Sequence, residues 1–151
     1  MQNPDNLRVS RAADDLADCV YDFTARFPID ERFGLISQMR RAAVSVGSNI
    51  YEGCGRRTNR SLVQFLYYSH ASAGELVFQT RLAIRRKYGD AKLAKELTRQ
   101  LNAIRRMLSQ LIRYHEARRS RERWERRERR EPYEGNEGDA GNEGGEGNER
   151  P

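Results

Sequence analysis

The chain holds two histidines and two cysteines, few residues for metal or nucleophile chemistry. His70 and His115 lie far apart and show nothing like the H-E-x-x-H spacing that sets two imidazoles on one helical face. No metal is expected. A thiol works as a nucleophile only beside a base, and the sequence around Cys54 supplies none. Cys19 and Cys54 both stand among small or apolar residues of helical pattern, so they read as reduced, partly buried thiols. Gly53-Cys54-Gly55-Arg56-Arg57 is glycine-rich, but it follows a helical stretch and lacks the Lys-Ser/Thr ending of a phosphate loop. It reads as a helix terminus. Glu52 and Glu75 are the one pair of carboxylates that could share acid–base work. Set beside Arg41 and Asn49, they read instead as structural partners. No catalytic residue, cofactor or enzymatic activity is expected.

What remains is charge. The 151 residues carry a net charge of +6. Residues 134–151 hold six acids and one Arg, a net of −5, which leaves +11 on residues 1–133. A strongly basic body draws phosphate-bearing or acidic partners by long-range attraction. Candidate phosphate contacts are Arg56, Arg57 and Arg60 at one junction, and Arg81, Arg85, Arg86 and Lys87 further on. The Arg-rich run at 118–130 is a rival surface.

The elements that must position these residues are helices. Val9, Ala12, Ala13, Leu16, Val20, Phe23 and Phe27 recur at helical spacing over 8–26, and Pro28 ends that run. Asp30 and Glu31 suit the approach to a second helix, from Leu35 to Arg56. Thr58 or Asn59 can cap a third, from Arg60 to Lys87. Gly89 can stop it in a left-handed turn, and Asp90 can cap the fourth. There Leu93, Leu97, Leu101, Ile104, Leu108 and Leu111 form a near-heptad seam. Long helices with short connections predict an all-α, antiparallel up-down-up-down four-helix bundle over 1–115. Residues 116–133 read as an exposed helical extension, supported by i,i+4 pairs such as Glu122–Arg126 and Glu125–Arg129. Residues 134–151, rich in Gly, Asn and Glu, read as a disordered tail that competes with polyanions for the basic body. No signal peptide is read at the N-terminus, no stretch is long and apolar enough to span a membrane, and a cytoplasmic location is expected.

Helix two carries a stripe of hydrogen-bonding side chains: Gln38, Arg41, Ser45, Asn49, Glu52 and Arg56. On one side lies the core face of Leu35, Met39, Ala42, Val46, Ile50 and Gly53. On the other lie Arg40, Val44, Gly47 and Tyr51. Two partly apolar faces suggest a helix covered twice, once by its own bundle and once by another chain. With Glu75 the stripe is expected to form a polar network inside the bundle or at a subunit seam.

The run Leu35-Ile-Ser-Gln-Met-Arg-Arg-Ala-Ala-Val-Ser-Val-Gly-Ser-Asn-Ile-Tyr-Glu-Gly-Cys-Gly-Arg closely resembles the signature of the bacterial 23S rRNA intervening-sequence proteins. Phe27-Pro28 with Glu31, and Ala73-Gly74-Glu75-Leu76, resemble the family too. Tyr51 departs from a position where the family usually has a small residue, and Ala73 from one where it often has Ser. The likeness covers about residues 10–115. It implies a homo-oligomeric bundle, commonly a pentamer. A distant relative, the accessory protein of diversity-generating retroelements, implies nucleic acid and a nucleic-acid-processing protein as partners. The family name reflects a gene location and not an activity. Two functions therefore stand: a homo-oligomer that binds RNA or DNA through its basic surface, and a protein-interaction scaffold without direct nucleic-acid binding.

Overall fold

The computed structural model describes residues 3–129. Among them are four α-helices and no strand: α1 (Arg8–Thr24), α2 (Leu35–Gly55), α3 (Asn59–Arg85) and α4 (Ala91–Glu128), with 3₁₀ turns at Pro4–Asn6 and Ile29–Glu31. Each boundary has a local cause. α1 stops four residues before Pro28. Gly34 offers α2 no capping side chain, so Glu31 reaches forward and accepts from the Leu35 amide at 3.0 Å. Thr58 caps α3 by accepting from the Ser61 amide at 3.1 Å. Asp90 caps α4 by accepting from the amides of Lys92 and Leu93 at 2.9 and 3.0 Å. The α3–α4 turn needs left-handed backbone, which Lys87 (φ 58°) and Gly89 (φ 74°) supply.

Contacts across the helices run in opposite sequence order. Tyr51 donates to Asp5 (3.2 Å) while Arg40 donates to Thr24 (2.9 Å), so α1 and α2 are antiparallel. Ser69 donates to the Val46 carbonyl at 2.8 Å, and Gly53 lies against Leu62 and Phe65, so α2 and α3 are too. Asn59 meets His115 at 2.7 Å and His70 meets Ser109 at 3.3 Å, which sets α4 against α3. α1 packs on α2 and α4, and α3 packs on the same two helices, leaving the diagonal pairs apart. That is a four-helix bundle around one core. Gly53 is needed for the α2–α3 approach, because a Cβ there would lie 3.0 Å from the Cβ of Phe65.

The core is the apolar stripe of each helix. Leu16, Val20, Phe23, Met39, Val46, Ile50, Leu66, Leu76, Leu97, Ile104 and Leu108 are fully buried. Burying each such side chain stabilises by about 1.5–3 kcal/mol. The α4 seam departs from the expected heptad at both ends. Leu93 and Leu111 are only half-buried, and Ala94, Ile112 and His115 are buried instead. A straight helix drifts by about 20° per heptad, so the buried line walks off a strict seven-residue repeat. Ala43 and Cys54 also join the α2 core face.

His115 is the last buried residue of α4. Beyond it the helix continues as an overhang to Glu128, as its density of helix formers predicts. Its ion pairs include Arg118–Glu122 at 3.0 Å and Arg129–Glu125 at 3.7 Å. Glu122 thus turns back to Arg118 and not forward to Arg126 as expected. No described helix is long and apolar enough to cross a membrane. Residues 130–133 of the extension and the acidic tail at 134–151 lie outside the described residues.

Candidate nucleic-acid interface

The antiparallel register of α3 and α4 brings the two rival basic surfaces together. Asn59, at the first turn of α3, faces His115, where α4 leaves the bundle. Its Nδ2 donates to the His115 carbonyl at 2.7 Å, so its Oδ1 is left as the acceptor for the His115 Nδ1–H, also at 2.7 Å. This two-bond clamp holds the start of α3 against the root of the overhang. Between them opens a cleft of about 780 Å³. Arg57, Thr58, Asn59 and Arg60 form one wall. Arg119, Arg123, Arg126 and Arg127 form the other, with Glu122 the one carboxylate of the lining among the described residues. A second bay of about 460 Å³ shares Arg57, Thr58 and Asn59 and adds Arg56, Arg118 and Tyr114.

Among the described residues the arginines of the lining outnumber its carboxylate, and Glu122 is already paired with Arg118. Arg stays charged at every physiological pH, so this excess favours anions. The free first-turn amides of α3 and its positive helix end favour negative charge at the same place. The chemistry fits a phosphate chain: many fork-shaped donors with few acceptors.

The other predicted cations lie elsewhere. Arg56 binds Glu52 and sits 4.6 Å over the Phe65 ring, so it is spent on packing α2 to α3. Arg85, Arg86 and Lys87 lie at the opposite end of α3, some 35 Å away at about 1.5 Å per residue, and Arg81 is on the way there. The seven basic residues do not make one patch.

The polar stripe of α2 is also divided. Ser45 bonds to Ser72 of α3 at 2.9 Å, and Asn49 donates to the Ser45 carbonyl and hydroxyl at 2.8 and 3.0 Å. Glu52 goes to Arg56. Glu75 accepts from Gln79 on its own helix at 2.8 Å and makes no bond to the stripe. Gln38 and Arg41 are exposed. Of the stripe, Ser45 meets α3 through Ser72 and Arg56 through the Phe65 ring, while Asn49 stays bonded within α2. The second face of α2 is partly covered by the chain itself: Gly47 lies against Ala13, Tyr51 reaches Asp5, and Arg40 stacks 4.6 Å over Tyr21. Val44 remains half-exposed.

The buried thiols are poor nucleophiles. Both are free, and burial pushes each above the usual thiol range.

A sequence model described as "23S rRNA-intervening sequence protein" matches residues 5–110. The chain belongs to the 23S rRNA-intervening sequence protein family. No curated protein matches it. Among solved structures it is similar to a protein of unknown function from the S23 ribosomal protein family of Bacteroides thetaiotaomicron. That likeness has a TM-score of 0.63 at 21% identity, and covers 74% of this chain and 99% of the other. At that identity it bears on the fold alone. The family boundary cuts through the cleft. Arg57, Asn59 and Arg60 lie within the 23S rRNA-intervening sequence protein match, whereas His115 and the arginines of the overhang lie beyond it.

The clamp makes stability depend on pH. His115 is held below its ordinary value of 6.5, first by burial and then by the charge of Arg118. A histidine that binds its proton less well folded than unfolded favours the unfolded chain once pH falls below the unfolded value. Stability is therefore expected to be highest above pH 7 and to fall on acidification through the mid-6 range. His70 shifts the same way, by burial and then Arg105, so it adds to the effect. Urea midpoints at pH 7.5 and 5.5 measure the loss, and His115→Gln should shrink it. A midpoint unchanged between those pH values would contradict the assignment.

Proposed function

We propose that this family member is a non-enzymatic, homo-oligomeric nucleic-acid-binding protein of the cytoplasm that holds phosphates in the α3–α4 cleft. The observation behind the reading is the cleft itself, in which, among the described residues, six arginines stand with one carboxylate. If all six meet phosphates of a single strand, the logarithm of affinity falls against the logarithm of salt with a slope of about −4. Filter binding of RNA and DNA from about 50 to 200 mM salt tests this. A steep loss is expected, and binding that ignores salt, or none at the lowest salt, would count against it.

Self-association supports the reading through avidity, since one cleft per subunit multiplies weak contacts. Half-exposed Val44 and Tyr51 on α2, with Tyr67 and Phe78 on the outer face of α3, offer apolar surface for a second copy. The pentamer implied by the family resemblance is the expected state, and light scattering on the full chain decides it. A scaffold that binds only protein is the second reading. It is favoured by Phe78, 66% exposed, on the face of α3 that also carries Tyr67, Ala71 and Gly74.

A further inference from the structure

Trp124 lies outside the hydrophobic core of the described residues. It is the only tryptophan of the chain, it is 62% exposed, and it stands on the overhang beyond the last buried residue. From residue 116 to residue 129 the only other apolar side chain is Ala117. A solvated helix gains nothing from an indole there, because exposed apolar area is unfavourable. Its neighbours are informative. Trp124 precedes Arg127 by three residues, so the two share a strip of helix surface, and it follows Arg123 directly. Both arginines line the cleft. The indole itself is not in the lining; at about 100° per residue it sits roughly 60° around α4 from Arg127, beside the arginine wall. At the other end Tyr114, also 62% exposed, lines the adjoining bay with Arg57 and Arg118.

Resting on the nucleic-acid reading above, we propose that the ligand of this cleft is unpaired nucleic acid, a single strand or a loop, with a base stacked on Trp124. Guanidinium groups along a groove and an aromatic ring at its edge are the two parts of a single-strand site: cations track the backbone, and a ring takes the exposed face of any base. In a duplex the bases are already stacked on each other and offer no free face to an indole. The open cleft, of about 780 Å³, has room for a nucleotide or two.

Trp124 also reports on the test, because its emission comes from this one position. A twelve-nucleotide single strand and a blunt duplex of the same sequence are titrated into the full chain at matched salt. The single strand is expected to quench the emission and to bind at least tenfold tighter than the duplex. Trp124→Ala should weaken the single strand roughly tenfold, the worth of one stacked base, and leave the salt slope intact, because no phosphate contact is removed. Trp124→Phe should recover part of the loss. Circular dichroism confirms that each variant keeps its helices. Salt-dependent binding without quenching, with Trp124→Ala equal to the parent or duplex bound as tightly as single strand, overturns this proposal and leaves the phosphate cleft standing. No binding of either ligand overturns both. Trp124→Ala that changes the oligomer mass but not the affinity assigns the indole to a protein contact, and also overturns it.

Discussion

Arg60→Ala combined with Arg123→Ala is expected to lower affinity for RNA or DNA about 100-fold at low salt. The two residues stand on opposite walls of the same cleft, one at the start of α3 and one on the overhang. A charge-assisted contact is worth roughly 1.5 kcal/mol, or about tenfold apiece. Removing two such contacts should also flatten the salt slope by about 1.4 on a single strand. The loss should be alike for all sequences, since phosphates carry no base information. Arg81→Ala with Arg85→Ala removes as much charge from another part of α3 and serves as the control for net charge alone. Equal losses from the two pairs would mean that binding follows overall charge and that the cleft has no special place in it. If the single variants show less than the product of their effects when combined, the two walls hold the same ligand.

Gly89→Ala should be among the most destabilising single methyl additions in the chain. Gly89 has a φ of 74°, a conformation that costs an L side chain about 1 kcal/mol or more. The added Cβ would also come within 2.6 Å of Phe23 Cε2 and 2.9 Å of Phe27 Cε1. Neither ring can step aside. Phe23 is fully buried, Phe27 packs edge-on against it at 5.0 Å, and Tyr88 closes the other side at 5.6 Å. Overpacking of this kind costs about 1–3 kcal/mol more. A combined loss of about 3 kcal/mol should lower Tm by roughly 10 °C. A change under about 2 °C in a thermal scan would show that the turn is free to move.

The helices and their ends were legible because each rests on local rules. Gly89 and Asp90 mark the α3–α4 turn by backbone freedom and capping, and Thr58 marks the start of α3. The apolar spacing of Leu16, Met39 and Leu101 names the core by itself. The cleft was only half legible. Arg57 and Arg60 stood out as a cluster, as did the arginines after 116, yet they read as rivals. Their union depends on which turn of α4 stops opposite Asn59, and that register is fixed by packing between residues 56 positions apart. No periodicity within one helix carries it. The polar stripe shows the same limit: the angle around α2 follows from the sequence, whereas the Ser45 partner, Ser72, lies on the neighbouring helix.

The unequal lengths of α3 and α4 have a mechanical side. α4 has 38 residues and α3 has 27. From His115 to Glu128 the overhang projects roughly 20 Å at about 1.5 Å per residue. Over the described residues it is a cantilever, held at its root by the Asn59–His115 clamp and carrying seven arginines against four glutamates between 116 and 129. A small rotation at the anchor becomes a large displacement at the tip. The gap between Arg60 and the last turns of α4 is therefore the compliant dimension of the molecule, and the gap beside the anchor the stiff one. A ligand entering from the tip meets a jaw that yields before it meets one that does not.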